Sequence, residues 1–275
     1  MNVLVTGAAG GLGRAFLAEC VRRGYRVCAT DVDGRGLETI REGLRDRFQT
    51  DITLFPCDIT RPESVYGLVA FLSREGFRPD MLLNVAGVDF EGGFLSRDFS
   101  EIGKIVEVNV LGSLRMTHRV LSLRDSRTPF HLVFVSSLAA GQPIPLKATY
   151  AASKRFLLDF SRALGEELRE AGVHVLTVCP GGMATTPKVV EAILAQGFFG
   201  AVTTCPVERI VSQTITRALK GKTVYVPGLF NRFTLFLNRF VPVPFTLRIL
   251  HGRWKRAQDR WLTLDEGRPA PGSPL

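Results

Sequence analysis

The sequence predicts an α/β fold: a doubly wound parallel sheet in a single domain, followed by a helical, basic C-terminal extension. Short apolar, β-branched runs alternate with helical patterns as far as residue 226, the order of βαβ units whose sheet is covered on both faces. A glycine-rich turn stands between the first such run and the first helical pattern. The chain has 275 residues, 45% hydrophobic and 22% charged, which is material for a sizeable core and the wrong balance for a disordered chain.

Taken in order, residues 2–6 (NVLVT) form the first expected strand, and a helix over 12–23 follows the glycine turn. A strand over 25–30 (YRVCAT) leads to a helix over 35–47, and a strand over 51–57 (DITLFPC) to a helix over 62–75. Residues 79–84 (PDMLLN) precede a helix over 101–123, and residues 129–136 (PFHLVFVS) precede one over 150–171. The last pairs are a strand over 173–179 (VHVLTVC), a helix over 206–220 and a strand over 223–226 (TVYV). Right-handed crossovers between such strands place ligands at their carboxyl ends. Residues 1–226 are therefore read as one domain. Its less regular stretch, 186–206, contains Gly197-Phe198-Phe199-Gly200 and is expected to act as a mobile lid. Residues 227–266 form the extension, and the Pro- and Gly-rich residues 267–275 a frayed tail.

Several classes are excluded. Five cysteines and four histidines are scattered without ligand spacing, so no metal site is expected and free thiols fit a reducing compartment. No leader precedes the first strand and no apolar run of about 18 residues occurs, so the expectation is a cytoplasmic protein without a spanning helix.

Thr6-Gly7-Ala8-Ala9-Gly10-Gly11-Leu12-Gly13 lies between a strand and a helix, where glycines allow a tight turn and a close approach to a pyrophosphate. The helix N-terminus adds free N–H groups and the positive end of its dipole. Asp31 ends the second strand, where a carboxylate can accept hydrogen bonds from the adenosine ribose and repel a 2′-phosphate, so NAD is favoured over NADP. Arg14 and Arg35 are the nearby cations that could instead meet a phosphate. Asp58 ends the third strand, where it either bonds the adenine amino group or serves the N-terminus of the next helix.

With Asn84-Val85-Ala86-Gly87, Asn109, Ser137, Tyr150-x-x-x-Lys154 and Pro180-Gly181 following in that order, the chain resembles a short-chain dehydrogenase/reductase, a Rossmann-type family, over roughly residues 2–226. Val85 departs from the Asn often found at its position. Gly7, Gly11 and Gly13 match the short subgroup's TGxxxGxG, while Gly7, Gly10 and Gly13 also match the TGxxGxxG of sugar-nucleotide epimerase relatives. Too little chain follows residue 226 for a separate sugar-nucleotide domain, and the gap of 13 between Ser137 and Tyr150 resembles the short subgroup. The resemblance implies cofactor contacts at Gly7, Gly11, Leu12, Gly13, Asp31, Asp58, Ile59, Asn84, Ala86, Gly87, Tyr150, Lys154, Pro180, Gly181 and Thr185. It also implies a homodimer or homotetramer built on the helices around 103–123 and 150–171.

Tyr150 and Lys154 share one helix face. A free Tyr titrates near pH 10, about three units above neutrality, and a neighbouring ammonium favours its phenolate, making Tyr150 the expected acid–base. Ser137 stands at a strand's carboxyl end, where its hydroxyl can donate to a developing alkoxide. Ser136 is its rival, and the resemblance prefers Ser137. Asn109 is a poor helix-interior residue whose presence suggests a local kink, and by resemblance it anchors a water joining Lys154 to solvent. Thr185 could bond the nicotinamide carboxamide. The expected activity is hydride transfer between a secondary alcohol and NAD, on a small-molecule substrate that Phe198, Phe199 and the extension suggest is apolar. The different-class alternative is a non-catalytic NAD-binding interaction protein.

The net charge of +9 resides mainly in residues 229–261, where Arg232, Arg239, Arg248, Arg253, Lys255, Arg256 and Arg260 face Asp259 alone. Phe233, Phe236, Leu237 and Phe240 fall on one helix face before Pro242 and Pro244 break the pattern. Such a segment either covers a cleft or dimer contact, or rests on an anionic membrane, the peripheral inner-face attachment expected of a basic amphipathic helix. No nucleic-acid recognition motif accompanies the charge.

Overall fold

The computed structural model describes residues 1–90, 92–184, 190–191, 202–237 and 240–252. Seven parallel strands form one Rossmann-type sheet in the order β3-β2-β1-β4-β5-β6-β7. They are β1 (Asn2–Thr6), β2 (Arg26–Thr30), β3 (Thr53–Leu54), β4 (Met81–Asn84), β5 (Phe130–Val135), β6 (Val173–Val178) and β7 (Val224–Tyr225). β1 pairs with β2 on one side and β4 on the other, so the strand order reverses between β1 and β4 and a crevice opens at their carboxyl ends.

Both faces are covered, which is why the strands read as continuous apolar runs. Val3 and Val5 enter one layer with Phe16 and Leu17 of α1 (Gly11–Arg22), Leu37 of α2 (Gly34–Phe48) and Ile210 and Ile215 of α7 (Val207–Leu219). Leu4 enters the other with Leu68 and Leu72 of α3 (Pro62–Arg74), Met116 of α5 (Ser113–Leu121) and Leu157 of α6 (Ala148–Glu167). Each fully buried Leu or Phe side chain contributes roughly 1.5–3 kcal/mol.

Two expected elements differ. The strand over 51–57 keeps only Thr53–Leu54 in the sheet, although Phe55 and Cys57 still donate to Ala29 O and Asp31 O. Pro56, between them, has no N–H to offer. The helix over 101–123 starts at Phe99, where the Asp98 carboxylate accepts from Ser100 N, and is split into α4 (Phe99–Val106) and α5 by a π-helical turn over Glu107–Gly112. The kink expected at Asn109 is this turn.

Beyond residue 226 the described residues form two helices. α8 (Leu229–Leu237) ends before Pro242, and a further helix covers 243–252, with Pro244 in its first turn, where a missing N–H costs nothing. Asn231 is buried and donates from Nδ2 to Thr203 O (3.0 Å) and Pro227 O (2.7 Å). Leu235 packs on Gly141, where an added Cβ would displace its Cδ2 methyl, and Leu250 is buried against the main domain. Among the described residues, no helix is long and apolar enough to cross a membrane, and no group of three or more His, Cys, Asp or Glu could hold a metal.

Candidate active site

The crevice is built first from the glycine turn. Thr6 Oγ1 accepts from Val85 N (3.1 Å) and Ala86 N (3.2 Å), tying the ends of β1 and β4 together. Gly7 has φ +64°, and a Cβ there would lie 2.6 Å from Ala86 Cα, so only glycine fits. A Cβ on Gly13 would fall on the Gly7 carbonyl oxygen. Leu12 packs into the core behind the turn. α1 begins after Gly10 with neither a capping side chain nor an acidic residue in its first turn. Its leading N–H groups thus lack an intrahelical or side-chain acceptor and suit an anionic phosphate.

Asp31 braces this turn. Its Oδ2 accepts from Ala9 N (2.9 Å) and its Oδ1 from Asp33 N (3.0 Å), leaving each oxygen a further lone pair for a ribose hydroxyl. Arg14 Nε donates to Ala9 O (2.9 Å), so one of the two nearby cations is engaged with the turn itself. At Asp58 the structure favours the local role: Oδ1 accepts from both Thr60 N (2.9 Å) and Thr60 Oγ1 (2.6 Å), an Asx-type turn leading into α3. These hydrogen bonds, with Arg61 alongside, hold the Asp58 carboxyl below its usual range against the opposing effect of burial. Ile59 is buried, and its carbonyl accepts from Arg115 Nη1 (2.7 Å). The residues present fit a dinucleotide: an uncapped helix N-terminus for its pyrophosphate and a carboxylate for its ribose.

The other half of the site surrounds Tyr150, in the first turn of α6. Lys154, one turn on, is buried; its Nζ donates to Val135 O (3.0 Å) and lies 5.6 Å from the Tyr150 ring centroid. Burial draws the Lys154 ammonium down from 10.5 to about 8, while the charges of Asp89 and Cys179 act in the opposite direction. Lys147 Nζ lies 5.4 Å from the same ring and is paired with Asp89 Oδ2 at 2.6 Å. The phenol therefore has two ammonium groups within reach of its ring, one buried and one held by a carboxylate.

Asn109 is wholly buried in the π-helical turn. Its Oδ1 accepts from Val88 N (2.8 Å), and its Nδ2 donates to Val88 O (3.0 Å) and Ser153 Oγ (3.1 Å). Both amide protons are used, so a water would be held through an oxygen of this residue. A Cβ on Gly87 would lie 3.1 Å from Lys154 Nζ and 3.2 Å from Asn109 Oδ1, which brings Gly87, Asn109 and Lys154 to one place. Asn84 is spent on Thr117 Oγ1 (3.0 Å) under the crevice floor.

The two candidate serines separate cleanly. Ser136 is buried and donates to Lys154 O (2.7 Å), a fixed structural bond. Ser137 is half-buried, and its Oγ accepts from Ala139 N (3.1 Å) at the start of the 3₁₀ turn Leu138–Gly141, so its hydroxyl proton remains available for donation elsewhere. Pro180 O accepts from Leu138 N (2.8 Å), and Gly181 is hemmed in by Thr203, Leu138 and Asn231. Thr185, Phe198 and Phe199 lie outside the described residues, as does most of the expected lid.

Sequence reasoning missed Lys147, Asp89, Ser153, Asn231 and Leu250. Lys147 stands just before the helix that carries Tyr150, which was a usable signal; Asp89 carried none, since its partner is 58 residues away. Leu250 joins Ala139, Ile144 and Ala151 in the apolar cluster against which Tyr150 packs, so the extension forms part of the wall.

A family model described as short chain dehydrogenase matches residues 1–193. Among curated proteins, the zebrafish (Danio rerio) dehydrogenase/reductase SDR family member 7B is 29% identical over 273 residues, covering 92% of this chain and 85% of that protein. Mouse (Mus musculus) 17-beta-hydroxysteroid dehydrogenase type 3 is 31% identical over 66% of this chain and 60% of its own. Among solved structures, a short-chain dehydrogenase from Sphingobium yanoikuyae in complex with NADPH superposes with a TM-score of 0.71 at 21% identity, over 99% of this chain and 98% of that one.

Proposed function

The chain belongs to the short-chain dehydrogenase family, oxidoreductases acting on CH–OH groups, and on that premise we propose that it interconverts a secondary alcohol and a ketone with NAD. The observation that carries this reading is the Tyr150 ring 5.6 Å from the buried Lys154 ammonium at the carboxyl edge of the sheet. A bound nicotinamide supplies the carbon that accepts or returns the hydride. In the oxidative direction Tyr150 Oη takes the hydroxyl proton as the carbinol carbon loses its hydride; in the reductive direction it gives the proton back. Lys154 stabilises the phenolate, and the Ser137 hydroxyl donates to the substrate oxygen as charge develops there. Asn109 fixes Ser153 and the backbone at Val88, and so supports the floor on which Lys154 rests.

NAD is favoured over NADP because the Asp31 carboxylate, braced against the turn, would face a 2′-phosphate with like charge. An apolar substrate is supported by the Phe90, Phe94, Ile102, Ile105 and Leu146 side chains that lie around Tyr150, and a bulky one by the steroid named for the mouse relative. A homodimer or homotetramer is supported by exposed Val106 at the end of α4, Leu111 in the π-helical turn and Phe156 on α6.

Tyr150→Phe tests the assignment. Turnover of secondary alcohols should fall about 10²–10⁴-fold while NAD binding, followed by fluorescence titration, stays as in the wild type. Equal turnover by the variant would remove Tyr150 from the role. A wild type that binds NAD but oxidises no member of a broad alcohol panel would favour the interaction-protein reading instead.

A further inference from the structure

We infer that the outward face of the C-terminal extension docks the protein on an anionic lipid bilayer. α8 exposes Leu229, Phe230, Phe233, Phe236 and Leu237, and Phe240, in the turn beyond it, is exposed too, with Phe240 70% and Leu229 81% exposed. Their spacings place the five residues of α8 on one side of the helix, and the Phe240 ring packs against Phe236 at 5.2 Å. The opposite side is fixed to the body through Asn231, which holds Thr203 O and Pro227 O, and through Leu235 against Gly141. The helix over 243–252 repeats the arrangement: Leu250 is buried by the main domain, while Phe245 and Ile249, one turn apart, are exposed. Two helices thus spend one side each on anchoring and present large apolar side chains outward. A patch of this kind marks an interaction surface rather than scattered exposure.

Charge identifies the partner. No acidic residue occurs between Pro227 and Gln258, a stretch that holds Arg232, Arg239, Arg248, Arg253, Lys255 and Arg256. Arg232 and Arg248 are exposed on the two described helices. Phenylalanine beside arginine without acid matches an acyl boundary beneath anionic headgroups. A second copy of the chain fits less well, because a two-fold contact on this face would bring like charges together without a carboxylate from the same stretch to pair them. The inference stands independently of the alcohol–ketone reading, since vesicle binding requires no turnover. Its consequence for that reading is that the helix presenting Phe245 and Ile249 outward turns Leu250 inward, into the cluster against which Tyr150 packs.

The test is sedimentation of the full-length protein with vesicles of phosphatidylglycerol and phosphatidylcholine, compared with phosphatidylcholine alone, at low and high salt. Binding should require the anionic lipid and weaken with salt. Arg232→Gln with Arg248→Gln should weaken it about thirtyfold at low salt. Phe233→Ser with Phe236→Ser should weaken it at least about tenfold, with melting and NAD binding unchanged, because both side chains face outward. Three results would each overturn the inference: no sedimentation with anionic vesicles at low salt, undiminished binding by both double variants, or a solution dimer that the phenylalanine pair dissolves. Binding to duplex DNA without binding to vesicles would do the same.

Discussion

Lys154 offers a measurement of how strongly the fold strains against its own candidate chemistry. Its ammonium is buried, and burial brings its pKa from 10.5 to about 8. That shift of about 2.5 units corresponds to about 3 kcal/mol, at 1.36 kcal/mol per unit. The folded-state value lies below the unfolded one, so between pH 8 and 10.5 the unfolded chain binds more protons than the folded chain, and stability from this group rises with pH across that window. Below pH 8 the lysine is charged in both states and the penalty is complete. Lys154→Met removes the titration while keeping a similar volume. It also leaves Val135 O without its donor, an offset that does not vary with pH. Buried Cys20 and Cys28, pushed up to about 12, act in the opposite sense, because the folded chain retains thiol protons that the unfolded chain loses above about pH 9. They are common to both proteins and cancel in the difference. Urea unfolding of wild type and variant at several pH values from 7 to 10.5 should therefore show the wild type gaining about 3 kcal/mol relative to the variant. Curves that stay parallel across that range would refute the claim that Lys154 is held in a desolvating site.

Two further predictions concern the cofactor end. Asp31→Ala should raise the use of NADP relative to NAD, and it should also lower the melting temperature, because Oδ2 holds Ala9 N in the turn; an unchanged cofactor ratio in steady-state assays would remove Asp31 from the ribose site. Gly13→Ala should abolish NAD binding or folding, since its Cβ would meet the Gly7 carbonyl oxygen; titration showing wild-type affinity would mean that the turn yields more easily than its geometry implies.

The sheet was legible because each strand is buried on both faces and reads as an uninterrupted apolar run between helical patterns. The glycine turn was legible because its conformation excludes side chains at Gly7 and Gly13. Tyr150 and Lys154 were visible as a pair on one helix face, whereas the bond that commits Ser136 to Lys154 O was not. Asp31 and Asp58 were visible only as positions: their bonds to Ala9, Asp33 and Thr60 depend on how the backbone turns back, which no spacing records. The Lys147–Asp89 pair joins segments 58 residues apart, and the anchoring of Asn231 reaches Thr203, 28 residues upstream. Both arise from the tertiary arrangement of loops. The helical face at Phe233 and Phe236 was readable, although the helix ends at Leu237, short of Phe240, and periodicity alone did not say that the face would point away from the core.

Asn231 has a bearing on how this chain can be altered. A single amide clasps the carbonyls of Thr203 and Pro227 and sits against Gly181, gathering three stretches that lie far apart along the backbone. α8 is consequently no detachable appendix. Trimming the chain at residue 228 would strip two carbonyls of their donor and unroof the glycine that follows β6, so a shortened protein would differ at the cleft as well as at its outer rim.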